Sequence, residues 1–194
     1  MPKGRDISRM LRPLSEKPIQ AFFGEGLHTL GLLSWILRQS GKADVWVSSY
    51  STSEPFLNGF CILRRKDLVR HSLLLLDQRA ARKTLKLERL MANAFDHVML
   101  GQNHSKILLV GNATWTVSVV TSQNQTYGAR AESTIVTTDS GVFGTLLDEF
   151  VEICGNGAVE IDVEHGKGIV TKGGGSGASA DDAPADFRPI GFEW

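Results

Sequence analysis

The chain has 194 residues and a mass of 21.2 kDa, with 42% hydrophobic and 22% charged side chains. These are globular values, which exclude a wholly disordered chain and fit one domain plus a tail. Lys+Arg and Asp+Glu both number 21, but residues 1–153 hold 18 basic and 14 acidic side chains while residues 154–194 hold 3 and 7. A uniformly basic nucleic-acid coat and an acidic solvating chain are therefore excluded, and only the mildly basic body favours a phosphate-bearing partner.

Residues 1–18 are basic, contain Pro2, Pro13 and Pro18, and read as an extended N-terminal arm. Apolar residues recur at helical spacing over 26–39 (Leu27, Leu30, Leu33, Ile36, Leu37) and stop at Ser40-Gly41, which predicts a helix. The β-rich run 43–51 follows, and Ser53-Glu54-Pro55 opens a second helix that ends at Arg64-Arg65-Lys66. Residues 69–76 (VRHSLLLL) read as a strand buried on both faces. Asp77 then caps a predicted helix over 78–95, with Leu87, Leu90 and Met91 on one side and Arg79, Arg82, Lys83, Lys86 and Arg89 on the other. Residues 96–100, 104–110, 114–121 and 132–138 read as further strands, and 141–154 as a closing amphipathic helix.

Alternating helices and strands in the first half imply right-handed crossovers and parallel strands, and the strand-rich middle implies an antiparallel addition. The expected fold is therefore α/β, one mixed β-sheet sandwiched between helices on both faces. The expected organisation is an arm (1–18), one domain (19–154) and a Gly-rich acidic tail (155–194) that regains Phe187, Ile190, Phe192 and Trp194 at its end. The N-terminus lacks the apolar core of a secretory signal, and no apolar stretch approaches the roughly 20 residues of a membrane helix. Cys61 and Cys154 belong to no C-x-x-C pair, so zinc-ribbon and disulfide-framework readings have no support. A cytoplasmic protein without a membrane partner is the expectation.

The block that carries chemistry spans 101–138, and its core is His104-Ser105-Lys106. On a strand, side chains at i and i+2 share a face, so imidazole and ammonium are expected to point the same way. The same rule pairs Ser122 with Asn124 in Thr121-Ser122-Gln123-Asn124, and Glu132 opens the next strand. Neighbouring strands would bring these groups to one end of the sheet. Histidine can attack phosphorus or pass a proton near neutral pH. Lysine and asparagine can hold charge on phosphoryl oxygens, and a carboxylate can orient an imidazole. Trp115 and Tyr127 also lie in the block; core packing is the reading for Trp115.

In these motifs the sequence resembles the phospholipase D superfamily, whose signature is H-x-K-x4-D, then a G-S-x-N-like element, then a Glu on the following strand. His104 and Lys106 match the first element, Ser122 and Asn124 the second, and Glu132 the third. Gly111 stands where the motif has Asp, and Thr121 where it has Gly. The resemblance implies a two-step, metal-independent phosphodiester mechanism with no cofactor. His104 is then nucleophile or acid, Lys106 and Asn124 hold the phosphate, Ser122 supports them, and Glu132 orients His104. Arg130, Lys83 and Lys86 are candidate substrate-binding residues. His165-Gly166-Lys167 is a second H-x-K but has no following S-x-N. A single convincing copy implies a homodimer that pairs His104 with its symmetry mate. The expected function is a nuclease acting on DNA or RNA. The alternative is a nucleic-acid-binding or assembly module that keeps the fold without turnover. The tail residues 187–194 are a candidate docking peptide for a protein partner.

Overall fold

The computed structural model describes residues 7–80, 82, 85–125 and 130–161. Its centre is an eight-stranded sheet in the order β1-β7-β6-β5-β2-β3-β4-β8. The strands are β1 (Ile19–Gly24), β2 (Ala43–Ser49), β3 (Val69–Asp77), β4 (His97–Gly101), β5 (Ile107–Gly111), β6 (Thr116–Thr121), β7 (Glu132–Thr137) and β8 (Val159–Glu160). The pairs β2–β3 and β3–β4 are parallel, and every other pair is antiparallel. The helices are α1 (Thr29–Ser40), α2 (Glu54–Arg65), α3 (Glu88–Ala94) and α4 (Ser140–Gly155).

Period-two alternation in the central strands explains the two helical layers. Val45, Val47, Leu74, Leu76, Leu108 and Val110 meet α1, α2 and α3 through Ile36, Leu57, Phe60 and Met91. The intervening Trp46, Leu73, Leu75 and Leu109 meet α4 through Phe143, Leu147 and Phe150. All of β2 is buried, as a strand covered on both faces must be. Stacked Phe60 and Phe95, with ring centroids 4.0 Å apart, join α2 to the segment before β4. Such a pair is worth about 0.5–1.5 kcal/mol beyond its buried area. Asp139 caps α4 by accepting from the Val142 N–H at 2.9 Å. Ser53 is the residue before α2, but its hydroxyl donates to the Gln125 carbonyl at 2.8 Å instead of to the helix end.

Three stretches differ from expectation. Of the helix predicted over 78–95, the described residues form 3-10 turns at Gln78–Ala80 and Leu85–Leu87, a helical Arg82 and the short α3. Arg79, Arg82, Lys86 and Arg89 stand three or four residues apart, and like charges at that spacing repel along a helix. The Asp77 carboxylate also accepts from the Arg79 N–H at 2.6 Å and turns the chain there. Strand β1 was not expected, because its pattern is inverted: Gln20 is buried while Ile19 and Phe23 are exposed. The buried Gln20 amide bonds Arg12 and the Lys17 carbonyl at 2.7–2.9 Å. Packing also reaches past residues 19–154. Leu11 and Leu14 of the expected arm are buried, the arm carries a 3-10 turn at Ile7–Arg9, and β8 with the buried Ile161 follows α4. Among the described residues, no helix is long and apolar enough to cross a membrane.

Candidate active site

The registers bring the ends of five strands to one end of the sheet. Ser48 of β2 pairs with Ile107 of β5, Ile107 with Val120 of β6, Thr121 with Thr134 of β7, and Glu132 with Gly24 of β1. This is also the carboxyl end of the parallel strands β2, β3 and β4, where open α/β sheets bind their ligands. The turns after β2, β3 and β4 therefore face the same space as the start of β5.

His104 and Lys106 do not lie on a strand. They belong to the segment 102–106 that precedes β5, so strand alternation is not what pairs them. They meet all the same. The Lys106 ammonium donates to the His104 carbonyl at 2.7 Å and stands 3.4 Å from His104 Nδ1. The imidazole is exposed, and the Tyr50 ring lies against it with centroids 5.4 Å apart. Partial burial holds the Lys106 ammonium below the ordinary lysine value, while the nearby Glu132 and Asp77 carboxylates pull it back up.

Ser122 and Asn124 also follow a strand rather than sit on one, since β6 ends at Thr121. The Ser122 hydroxyl donates to the Glu132 carboxylate and accepts from the Ser133 N–H at 3.0 Å. Glu132 is thus bound to Ser122 and lies within electrostatic reach of Lys106. Asn124 is half-buried, and its carbonyl oxygen Oδ1 is buried with no hydrogen-bond partner among the described residues. Its neighbours pin the turn. Gln123 Oε1 accepts from the Thr29 N–H at 3.1 Å, at the start of α1, and the Gln125 N–H donates to Ser49 Oγ at 3.3 Å. Arg130 is exposed just before β7, and Lys86 is exposed in the second 3-10 turn after β3. Lys83, Tyr127, the His165-Gly166-Lys167 triplet and the tail from residue 162 onward lie outside the described residues.

The turn around His104 is held by Asn103, which no sequence pattern marks, and by Asp77, which the pattern marks only as a helix cap. Asn103 is 4% exposed and Asp77 is 6% exposed. The Asp77 carboxylate accepts from the Asn103 N–H at 3.1 Å. The Asn103 amide in turn bonds Ser105, Ser48, Ser49 and Leu75. The available signal was an asparagine directly before the histidine and an aspartate ending an apolar run. Neither has a periodicity to mark it.

Gly111 lies at the opposite end of β5, about 17 Å along the strand from Lys106 at roughly 3.4 Å per residue. A Cβ there would stand 2.8 Å from Phe143 Cζ, so the α4 ring occupies the place of a side chain. A cavity of about 510 Å³ between Ser8, Trp35, Arg38 and Trp115 is also at that far end, beside the β5–β6 turn. Trp115 packs, partly buried, against the main core there.

No protein-family model and no curated protein matches this sequence. Solved structures do match. Nuc from Salmonella typhimurium, a phospholipase D family member, aligns at a TM-score of 0.53 and 16% identity, over 70% of this chain and 93% of its own. NucT from Helicobacter pylori aligns at 0.52 and 13%, over 70% and 95%. Polyphosphate kinase from Porphyromonas gingivalis aligns at 0.56 and 12%, with 84% of this chain covering 29% of the longer one. At these identities the likeness lies in the backbone: the chain has the phospholipase D-like fold.

Proposed function

We propose that this protein is a phosphodiesterase, a metal-independent nuclease that works through a phosphohistidine in a homodimeric site. The observation that carries this reading is that His104 and Lys106, and Ser122 and Glu132, meet in pairs at one sheet end, where the Thr121 N–H donates to the Lys106 carbonyl. In the first step a His104 ring nitrogen forms a bond to phosphorus, and the bond to the leaving oxygen breaks. That oxygen takes a proton from His104 of the second copy. Water then attacks the phosphohistidine, returns a proton to that second imidazole, and releases His104. Lys106 and the amide of Asn124 hold the equatorial oxygens, and Arg130, Lys83 and Lys86 hold flanking phosphates. Proton transfer of this kind contributes about 10²–10⁴-fold.

Nucleic acid as the substrate is supported by the basic residues Arg79, Arg82 and Lys86, exposed on the segment that follows β3 at the His104 end. Phosphate contacts of this type supply sequence-independent affinity. The second copy is supported by an apolar sheet face that starts at the same sheet end. Phe23 is 81% exposed, and Ile19, Ile135 and Val120 stand exposed beside it on β1, β7 and β6. Placement in the cytoplasm, and a protein partner for residues 187–194, belong to the same proposal.

The test is cleavage of DNA and RNA in chelator by the wild type and by His104→Ala, with mass spectrometry of acid-sensitive phospho-adducts on the protein. Cleavage and an adduct on His104, both lost in the variant, are expected. Gly111 in place of the motif Asp favours the second reading, a binding or assembly module without turnover. Equal binding by both proteins with cleavage by neither would select it.

A further inference from the structure

We propose that Asn103, itself held by Asp77, is a positioning residue for His104, and that this pair joins the His104 turn to the basic segment after β3. The proposal rests on the phosphodiesterase reading for its kinetic consequence, but not for its geometry.

The Asp77 carboxylate splits between two segments of the chain. Oδ1 accepts from the Arg79 N–H at 2.6 Å, where the basic segment begins, and Oδ2 accepts from the Asn103 N–H at 3.1 Å. Asn103 spreads the anchorage around its own side chain. Its Oδ1 accepts from the Ser105 N–H at 3.0 Å, from Ser105 Oγ at 2.6 Å and from Ser48 Oγ at 3.1 Å. Its Nδ2 donates to the carbonyls of Ser49 at 3.2 Å and Leu75 at 3.3 Å. Every donor and acceptor of the amide is used, which a buried amide requires. The residues before and after His104 are therefore both tied to the ends of β2 and β3, while the imidazole between them stays exposed.

That arrangement fits a nucleophile more closely than it fits general packing. A turn that only had to close could bury an apolar residue at position 103 without the desolvation cost of an amide. The bonds of Asn103 lead to both sides of His104 and to Ser48 and Ser49, the two residues before the Tyr50 that faces the imidazole. Alignment of a reacting nitrogen is worth orders of magnitude in rate, because the orientational entropy is lost before the reaction begins. The link to Arg79 carries a second consequence: the backbone of Arg79, where the basic residues begin, stands at a fixed offset from the His104 turn.

The test uses the full chain. Ring C–H cross-peaks of the histidines are followed by NMR against pH, with and without inorganic phosphate, in the wild type, Asn103→Ala and Asp77→Asn. His71 and His97, at the far end of β3 and the start of β4, report whether the fold is kept. The expected result is that the His104 resonance alone shifts and broadens in Asn103→Ala, and shifts less in Asp77→Asn. On a phosphodiester substrate, kcat is expected to fall about 10–100-fold in Asn103→Ala with KM changed less than about twofold. If Asn103→Ala does not fold, Asp77→Asn, which keeps the shape of the side chain, decides. A His104 resonance and titration unchanged in a folded variant would overturn the proposal. A wild type that cleaves nothing while His104 shifts as expected would remove the nuclease reading and leave the positioning role standing.

Discussion

Restoring the motif aspartate at position 111 should weaken this protein instead of improving it. A Cβ on Gly111 would lie 2.8 Å from Phe143 Cζ and 3.5–3.6 Å from the two adjacent ring carbons. Ordinary carbon contacts begin near 3.4 Å, so the ring or the strand must yield by more than half an ångström. Phe143 has little room to do so, being 5% exposed and packed edge-on against Trp46 with centroids 6.1 Å apart. Overpacking of this kind costs about 1–3 kcal/mol. Removing a strand glycine returns roughly 0.5–1 kcal/mol, so the middle of the two ranges leaves Gly111→Ala about 1–1.5 kcal/mol less stable. For a domain of this size that lowers Tm by about 2–6 °C. Gly111→Asp adds a carboxylate directly across from Asp44, which is 8% exposed and already paired with Arg70 and His71. Its loss should reach about 3–5 kcal/mol. Thermal and urea unfolding, followed by circular dichroism, would measure both variants alone and on a Phe143→Leu background, where the clash is relieved. A Gly111→Ala protein as stable as the wild type, or a penalty of the same size with Leu at 143, would refute the steric argument.

Three further outcomes follow from the same geometry. Burial pushes the Cys154 thiol up to about 12, so at pH 8 only about one molecule in 10⁴ carries the thiolate; alkylation under native conditions should spare Cys154 and proceed only on unfolding, as peptide mass mapping would reveal. Lys106 must be cationic to hold a phosphate, and its pKa is depressed by burial, so affinity for inorganic phosphate should fall with rising pH, starting earlier than for an ordinary lysine. Phosphate titrations between about pH 8 and pH 10 would detect this, and Lys106→Arg, cationic throughout that range, should flatten the profile. If a second copy covers the face around the exposed Phe23, Phe23→Asp should give a monomer in sedimentation velocity while leaving Tm within about 2 °C, since the ring is not in the core; an unchanged sedimentation coefficient would refute that placement.

Local patterning was enough to read several parts of the molecule. The unbroken apolar runs of β2 and β3, the helical spacing of α1 and α4, and the order His104, Lys106, Ser122, Asn124, Glu132 are all visible along the chain. Each depends on residues a few positions apart, and side-chain period is a local property of the backbone. Tertiary structure decided the rest. Strand β1 forms because Gln20 finds Arg12 and Lys17, and because β7 offers its edge; by pattern alone its inside and outside are reversed. The described residues after Asp77 begin as a 3-10 turn because the Asp77 carboxylate accepts from the Arg79 N–H. Glycine at 111 is required by a ring thirty-two positions later. Asn103 gains its place only when the ends of β2 and β3 stand beside it. Hydrogen bonds and steric contacts act over a few ångströms whatever the separation along the chain, so these features come into being only once the sheet order has brought distant segments together.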